Sequence, residues 1–173
     1  MNALTHTARA LLTAVTSAAT IACTQPTPPR KPLTRSRLIE INRMLVEKDS
    51  AIIAHYNDSL GLGLTVSSTG LWTRIHTPHD TARPAGGCVS IAYVVTRLNG
   101  DTLYTSAADG IRTFDSAQGD VETGLAEATA AMHVGDSATI VMPPYHAFGI
   151  AGDDNKIKGR CIVRYDIKIV DRR

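Results

Sequence analysis

Aromatic side chains make up only 5% of the 173 residues, with a single tryptophan and two phenylalanines, so aromatics that meet in the fold will stand out against an aliphatic background. Cysteine is scarcer still: Cys23, Cys88 and Cys161 are too few and too scattered for a disulfide framework or a CxxC metal site. Charge of one sign is missing as well. Lys and Arg number 18 against 16 Asp and Glu, a formal +2 with no long run of either sign. That balance offers no footprint for a phosphate backbone, and no nucleic acid is expected as a partner. The apolar stretches fall short of the ~20 residues that cross a bilayer as a helix. What is present, 43% hydrophobic side chains, suits one ordinary globular domain with some chain to spare.

The spare chain lies at the N-terminus. Residues 1–22 contain one basic residue, Arg9, no acidic residue, and a stretch from Ala10 to Ala22 built of Ala, Leu, Ile, Val, Thr and Ser. A short apolar segment after a basic start, ending in small residues, is the pattern of a secretory signal. It closes as Thr20-Ile21-Ala22-Cys23, which resembles the lipobox of bacterial lipoproteins, although Thr20 stands where leucine is usual. That resemblance implies lipidation at Cys23 and a membrane anchor in the cell envelope, with plain secretion as the alternative. Pro26, Pro28, Pro29 and Pro32 follow closely, so residues 23–33 read as an extended, polyproline-like tether rather than a helix or strand.

From Thr34 the pattern turns helical. Leu38, Ile41, Leu45, Ile52 and Tyr56 recur at helical spacing, with Ile39, Val46 and Ile53 beside them and Arg35, Glu40, Arg43 and Glu47 opposite. Gly61-Leu62-Gly63 stops the run. This amphipathic helix is expected to pack on its own domain, because the charge repeat of a sustained coiled coil is missing; a homodimer through residues 35–56 is the alternative. After Gly63, strands are expected over 71–76, 89–98, 138–142 and 161–170, with a hairpin turn at Asn99-Gly100 and one short helix over 121–132. The reading is an α+β fold, an antiparallel sheet wrapped around one short helix and preceded by the N-terminal helix, with domain limits at 34–62 and 63–173.

The order of several short motifs carries a resemblance. Val89-Ser-Ile-Ala-Tyr93, Asn99-Gly100, Val121-Glu-Thr-Gly124-Leu125, Met132-His-Val-Gly135-Asp136, Met142-Pro143, Ala147-Phe148-Gly149 and Tyr165-Asp-Ile-Lys-Ile169 together resemble an FKBP-type peptidyl-prolyl isomerase domain from about residue 70 to residue 170. The resemblance implies an apolar pocket that speeds rotation about Xaa-Pro bonds, against a barrier of ~18–20 kcal/mol, with no cofactor and no metal. By resemblance Tyr93, Phe148 and Ile157 are the catalytic positions, Ile157 also through its backbone N–H. Leu103, Tyr104, Phe114, Val121, Glu122 (through its backbone N–H), Leu125 and Tyr165 bind substrate.

Departures from the family pattern are part of the same reading. Leu125 stands where a tryptophan floor is usual and Leu103 where a phenylalanine is usual, which is expected to enlarge the pocket. Tyr104 replaces an aspartate that accepts from the pocket tyrosine, and Phe148 replaces a tyrosine that donates to ligand. Lys158-Gly159 replace two stiffening prolines, so a mobile loop is expected. In this family Cys88 and Cys161 would start two antiparallel neighbours, beyond disulfide reach, as buried thiols. The histidine cluster His76-Thr-Pro-His79-Asp80 reads as a solvated loop, since Pro78 forbids a helical ligand pair. The functional expectation is an envelope-tethered isomerase acting on proline-containing unfolded or exported polypeptides; the alternative is an FKBP-like binding or dimerisation module with little turnover.

Overall fold

A computed structural model of the chain describes residues 34–77, 87–116 and 118–173. The signal, the tether and Cys23 therefore lie outside the described residues, as do His79 and Asp80. Helix α1 runs from Arg35 to Leu60. Strands β1 (Thr65–Val66), β2 (Trp72–Ile75), β3 (Cys88–Arg97) and β4 (Thr102–Thr105) follow. The single-turn helix α2 (Ser106–Asp109), β5 (Arg112–Asp115), α3 (Thr123–Thr129), β6 (Ser137–Met142) and β7 (Val163–Arg172) complete the order. The strands make one antiparallel sheet in the order β1-β2-β6-β7-β3-β4, and β5 pairs with the first half of β3. This is the α+β architecture expected.

Alternation explains the central strands. Val89, Ile91 and Val95 of β3, and Val163, Tyr165, Ile167 and Ile169 of β7, all face the core, while their neighbours are half-buried or exposed. Strand β6 is buried from Ala138 to Met142 because both of its faces are covered. Ala138, Ile140 and Met142 join the main core beside Leu125 of α3; Val141 faces the other way, into a second cluster with Ile53 of α1 and Leu64. Helix α3 needs a glycine to come this close. A Cβ at Gly124 would sit 2.6 Å from the Met142 sulfur and 2.9 Å from a Leu71 methyl.

Helix α1 attaches to the sheet only through its second half, where Asp49 and Ile53 are its buried residues. Leu38, Ile39, Met44 and Val46 in the first half remain exposed. Asp49 holds Arg160 with both carboxylate oxygens, at 3.1 and 2.9 Å. Two expectations need correction. Cys88 is an exposed free thiol rather than a buried one, because it sits at the first position of β3, before the strand enters the core; Cys161 is half-buried and also free. Helix α3 is shorter than 121–132, since the Thr129 hydroxyl turns back to the Leu125 carbonyl at 2.9 Å and the chain leaves the helix there.

Candidate functional site

Tyr93 shares the inward face of β3 with Val89, Ile91 and Val95, yet it is only half-buried, because the core opens beside it into a cavity of about 350 Å³. Val95 lies at its side and Tyr165, paired with Val95 across the β3–β7 ladder, at its base. Tyr104 enters from β4, Asp109 from the end of α2 and Arg112 from β5. Glu122, the N-cap of α3, closes another side, and Phe148 and Asp153 come from the connection between β6 and β7. Six elements and one loop thus converge on one hollow.

Its base is polar. The Glu122 carboxylate, 6% exposed, accepts a 3.1 Å hydrogen bond from Arg112 Nη1 and a 3.2 Å bond from the Tyr165 hydroxyl. Arg112 Nη2 lies 3.0 Å from the second carboxylate oxygen, at an angle that leaves an ion-pair contact rather than a hydrogen bond. Burial opposes the Arg112 charge, but the bond to Glu122 and its negative charge outweigh that and hold the guanidinium above its ordinary pKa. Burial pushes the Tyr165 phenol well above its usual range, and the neighbouring Glu122 charge adds to the effect.

The rim repeats the pairing of phenol with carboxylate. The Tyr104 hydroxyl donates to Asp153 Oδ2 in a short bond, and that bond is the main reason its pKa is raised. Asp153 Oδ1 accepts the backbone N–H groups of Asn155 and Ile157, at 3.0 and 2.7 Å. Burial would raise the Asp153 carboxyl, yet these donors together bring it below the usual range. Tyr93 is raised by burial first and by the Asp109 charge second. Its hydroxyl has no hydrogen-bond partner among the described residues, and neither has the backbone N–H of Glu122.

Of the residues expected here, the structure brings Tyr93, Tyr104, Glu122, Phe148 and Tyr165 to the cavity. It does not bring Leu103, Phe114, Leu125 or Ile157, which are 5%, 5%, 0% and 2% exposed and belong to the core. Val121 is half-buried against that core and off the cavity wall. Leu125 and Leu103 pack within the core, and the Tyr165–Glu122–Arg112 cluster forms the base of the hollow. The Ile157 N–H is spent on Asp153. The loop expected to be mobile is tied down without prolines. Arg160 N–H bonds Gly149 at 2.8 Å, Asp153 N–H bonds the Ile157 carbonyl at 3.0 Å, and Arg97 bonds the Lys156 carbonyl at 2.7 Å. Arg112, Asp109, Asp153 and Val95 were missed from the sequence. The inward alternation of Arg112 with Phe114 and the Asx-turn string Gly152-Asp153-Asp154-Asn155 were the signals available for two of them.

A sequence model of the FKBP-type peptidyl-prolyl cis-trans isomerases matches residues 80–170. The chain belongs to this family. Human peptidyl-prolyl cis-trans isomerase FKBP9 is 34% identical over 89 residues, which cover 50% of this chain and 15% of FKBP9, so only a small part of that longer relative is represented. Among solved structures the FKBP fold recurs in AtFKBP13, with TM-score 0.59, 22% identity, 64% of this chain and 98% of that one. FkpA from Escherichia coli gives 0.58 and 21% identity, covering 82% of this chain and 74% of FkpA. A peptidyl-prolyl cis-trans isomerase from Pseudomonas syringae pv. tomato gives 0.60 and 19% identity, covering 75% and 93%. The FKBP family model spans every residue of the cavity, from Tyr93 to Tyr165, and stops short of α1.

Proposed function

We propose that the chain is a peptidyl-prolyl cis-trans isomerase that works on exported polypeptides in the cell envelope, held there through lipidated Cys23. The observation that carries the reading is the cavity at Tyr93, with two unengaged donors, the Tyr93 hydroxyl and the Glu122 N–H, among apolar surfaces supplied by Val95, Phe148 and the tyrosine rings. A planar amide is charge-separated and a twisted one is less so. An apolar lining therefore favours the twisted form, and donors fixed on the flanking carbonyls keep the segment seated while the bond turns. No nucleophile or proton transfer is required. A protease-coupled isomerisation assay on the purified protein tests this, and a rate equal to the uncatalysed one refutes it.

A second reading rests on a specific observation. The Arg112–Glu122 ion pair puts formal charge in the cavity base, where it can solvate the planar amide as well as the twisted one. On that reading the domain binds proline segments with little turnover. The anchor is tested separately: intact mass of protein from its native host should correspond to a chain beginning at acylated Cys23, and an unmodified Cys23 removes the lipoprotein assignment.

A further inference from the structure

The cavity has an electrostatic sign, and that sign bears on which proline segments it accepts. Three carboxylates, Asp109, Glu122 and Asp153, face one guanidinium, Arg112. Glu122 and Arg112 offset each other as a pair, yet the second Glu122 oxygen is buried and free of hydrogen bonds. Asp153 is held by neutral donors only, the Tyr104 phenol and two backbone N–H groups, which fix its position without cancelling its charge. Asp109 accepts the Thr105 N–H at 3.1 Å and is otherwise open to solvent at the mouth. Lys156, the cation beside Tyr104, is not part of the lining. Its ammonium donates to the Leu103 carbonyl at 2.8 Å and lies 4.7 Å from the centre of the Tyr104 ring. The three phenols register the same field, since each is raised with a carboxylate among the causes: Asp109 for Tyr93, Asp153 for Tyr104 and Glu122 for Tyr165.

We infer that the cavity selects proline segments in which a lysine or arginine immediately precedes the proline. The inference rests on the reading that this cavity receives an Xaa-Pro unit. The residue before proline contributes the carbonyl of the rotating bond, so its side chain lies beside the cavity lining, to which Asp109 and Asp153 contribute their carboxylates. A cation there gains from both carboxylates, and an anion is repelled by both. Part of that gain passes through solvent and is screened by salt.

The test uses the full chain with three otherwise identical peptides carrying Lys-Pro, Leu-Pro or Glu-Pro. Binding is read by chemical-shift titration and turnover by exchange NMR, at low and at high ionic strength. The expected result is affinity and catalytic efficiency in the order Lys, Leu, Glu, with Lys over Glu on the order of tenfold at low salt and clearly less at high salt. Asp109→Asn should narrow the ratio and Asp109→Lys should reverse it; asparagine keeps an acceptor for the Thr105 N–H, so the fold is not at stake. Equal behaviour of the three peptides, or a ratio untouched by Asp109→Lys, overturns the inference while leaving the isomerase reading in place. Ordered binding with no turnover does the opposite. Neither binding nor turnover for any peptide removes both.

Discussion

Arg112→Met isolates the ion pair at the base of the cavity. Glu122, 6% exposed, would lose its only cationic partner among the described residues and keep one phenolic donor, Tyr165. Leaving a buried charge uncompensated costs about 3–5 kcal/mol when burial is complete. Arg112 is itself 33% exposed, so water already shares the cavity side of the pair and can solvate the bared carboxylate in part. A loss of about 2 kcal/mol is expected, or a drop in Tm of roughly 6 °C for a domain of this size. Urea denaturation of wild type, Arg112→Met, Glu122→Gln and the double variant gives the coupling directly, because glutamine can still accept from Tyr165 while demanding no counter-charge. The double variant should recover most of the loss. Stabilities that merely add, or a single Arg112→Met variant as stable as wild type, would mean that Glu122 is solvated in a way this geometry does not contain.

Three further outcomes follow from other contacts. Asp49→Asn should cost about 1–2 kcal/mol, since Arg160 keeps access to water, and should speed amide exchange across 149–160, the loop that Arg160 closes; unchanged exchange there would mean α1 does not steady the loop. Tyr104 and Tyr165 have folded pKa values above the unfolded value of 10.0, so their share of stability is complete below pH 10 and is lost as pH rises beyond it. Tm measured from pH 8 to 12 should fall above pH 10, and less steeply in Tyr165→Phe. Gly124→Ala should destabilise by about 1–3 kcal/mol through collision with Met142 and Leu71, and a neutral effect would show that α3 can back away from the sheet.

How far the sequence could be read tracks how each element is stabilised. Strands β3 and β7 were legible because Val89, Ile91 and Val95, and Val163, Tyr165, Ile167 and Ile169, alternate over full-length strands against one core. Strands β4 and β5 were not, since each has four residues and β5 turns an arginine inward. What makes Arg112 an inward residue is Glu122, ten positions away and visible only once α3 docks. The aromatic members of the site, Tyr93, Phe148 and Tyr165, were found through motif order. Of the polar members Tyr104 and Glu122 were also legible, but Arg112, Asp109 and Asp153 were not, because the motif pattern presumes an indole floor and prolines in the loop. This chain instead builds its base from an ion pair and its loop from Asp153 hydrogen bonds. The amphipathic run of α1 was legible as helix, but nothing in its pattern marks the buried Asp49 as the residue that grips Arg160.

The cavity around Tyr93 and Phe148 is proposed to turn Xaa-Pro bonds. Magnetisation-exchange NMR on a Lys-Pro peptide, with wild type and Phe148→Asp side by side, tests it most directly. Phe148 is a half-buried wall residue, so the variant should fold, and its carboxylate would solvate the planar amide and remove the preference for the twisted one. Cis–trans exchange well above the rate in buffer is expected for wild type and at least a tenfold reduction for Phe148→Asp, equivalent to ~1.4 kcal/mol of transition-state stabilisation. Exchange in wild type no faster than in buffer, or unchanged by Phe148→Asp, would contradict the proposal.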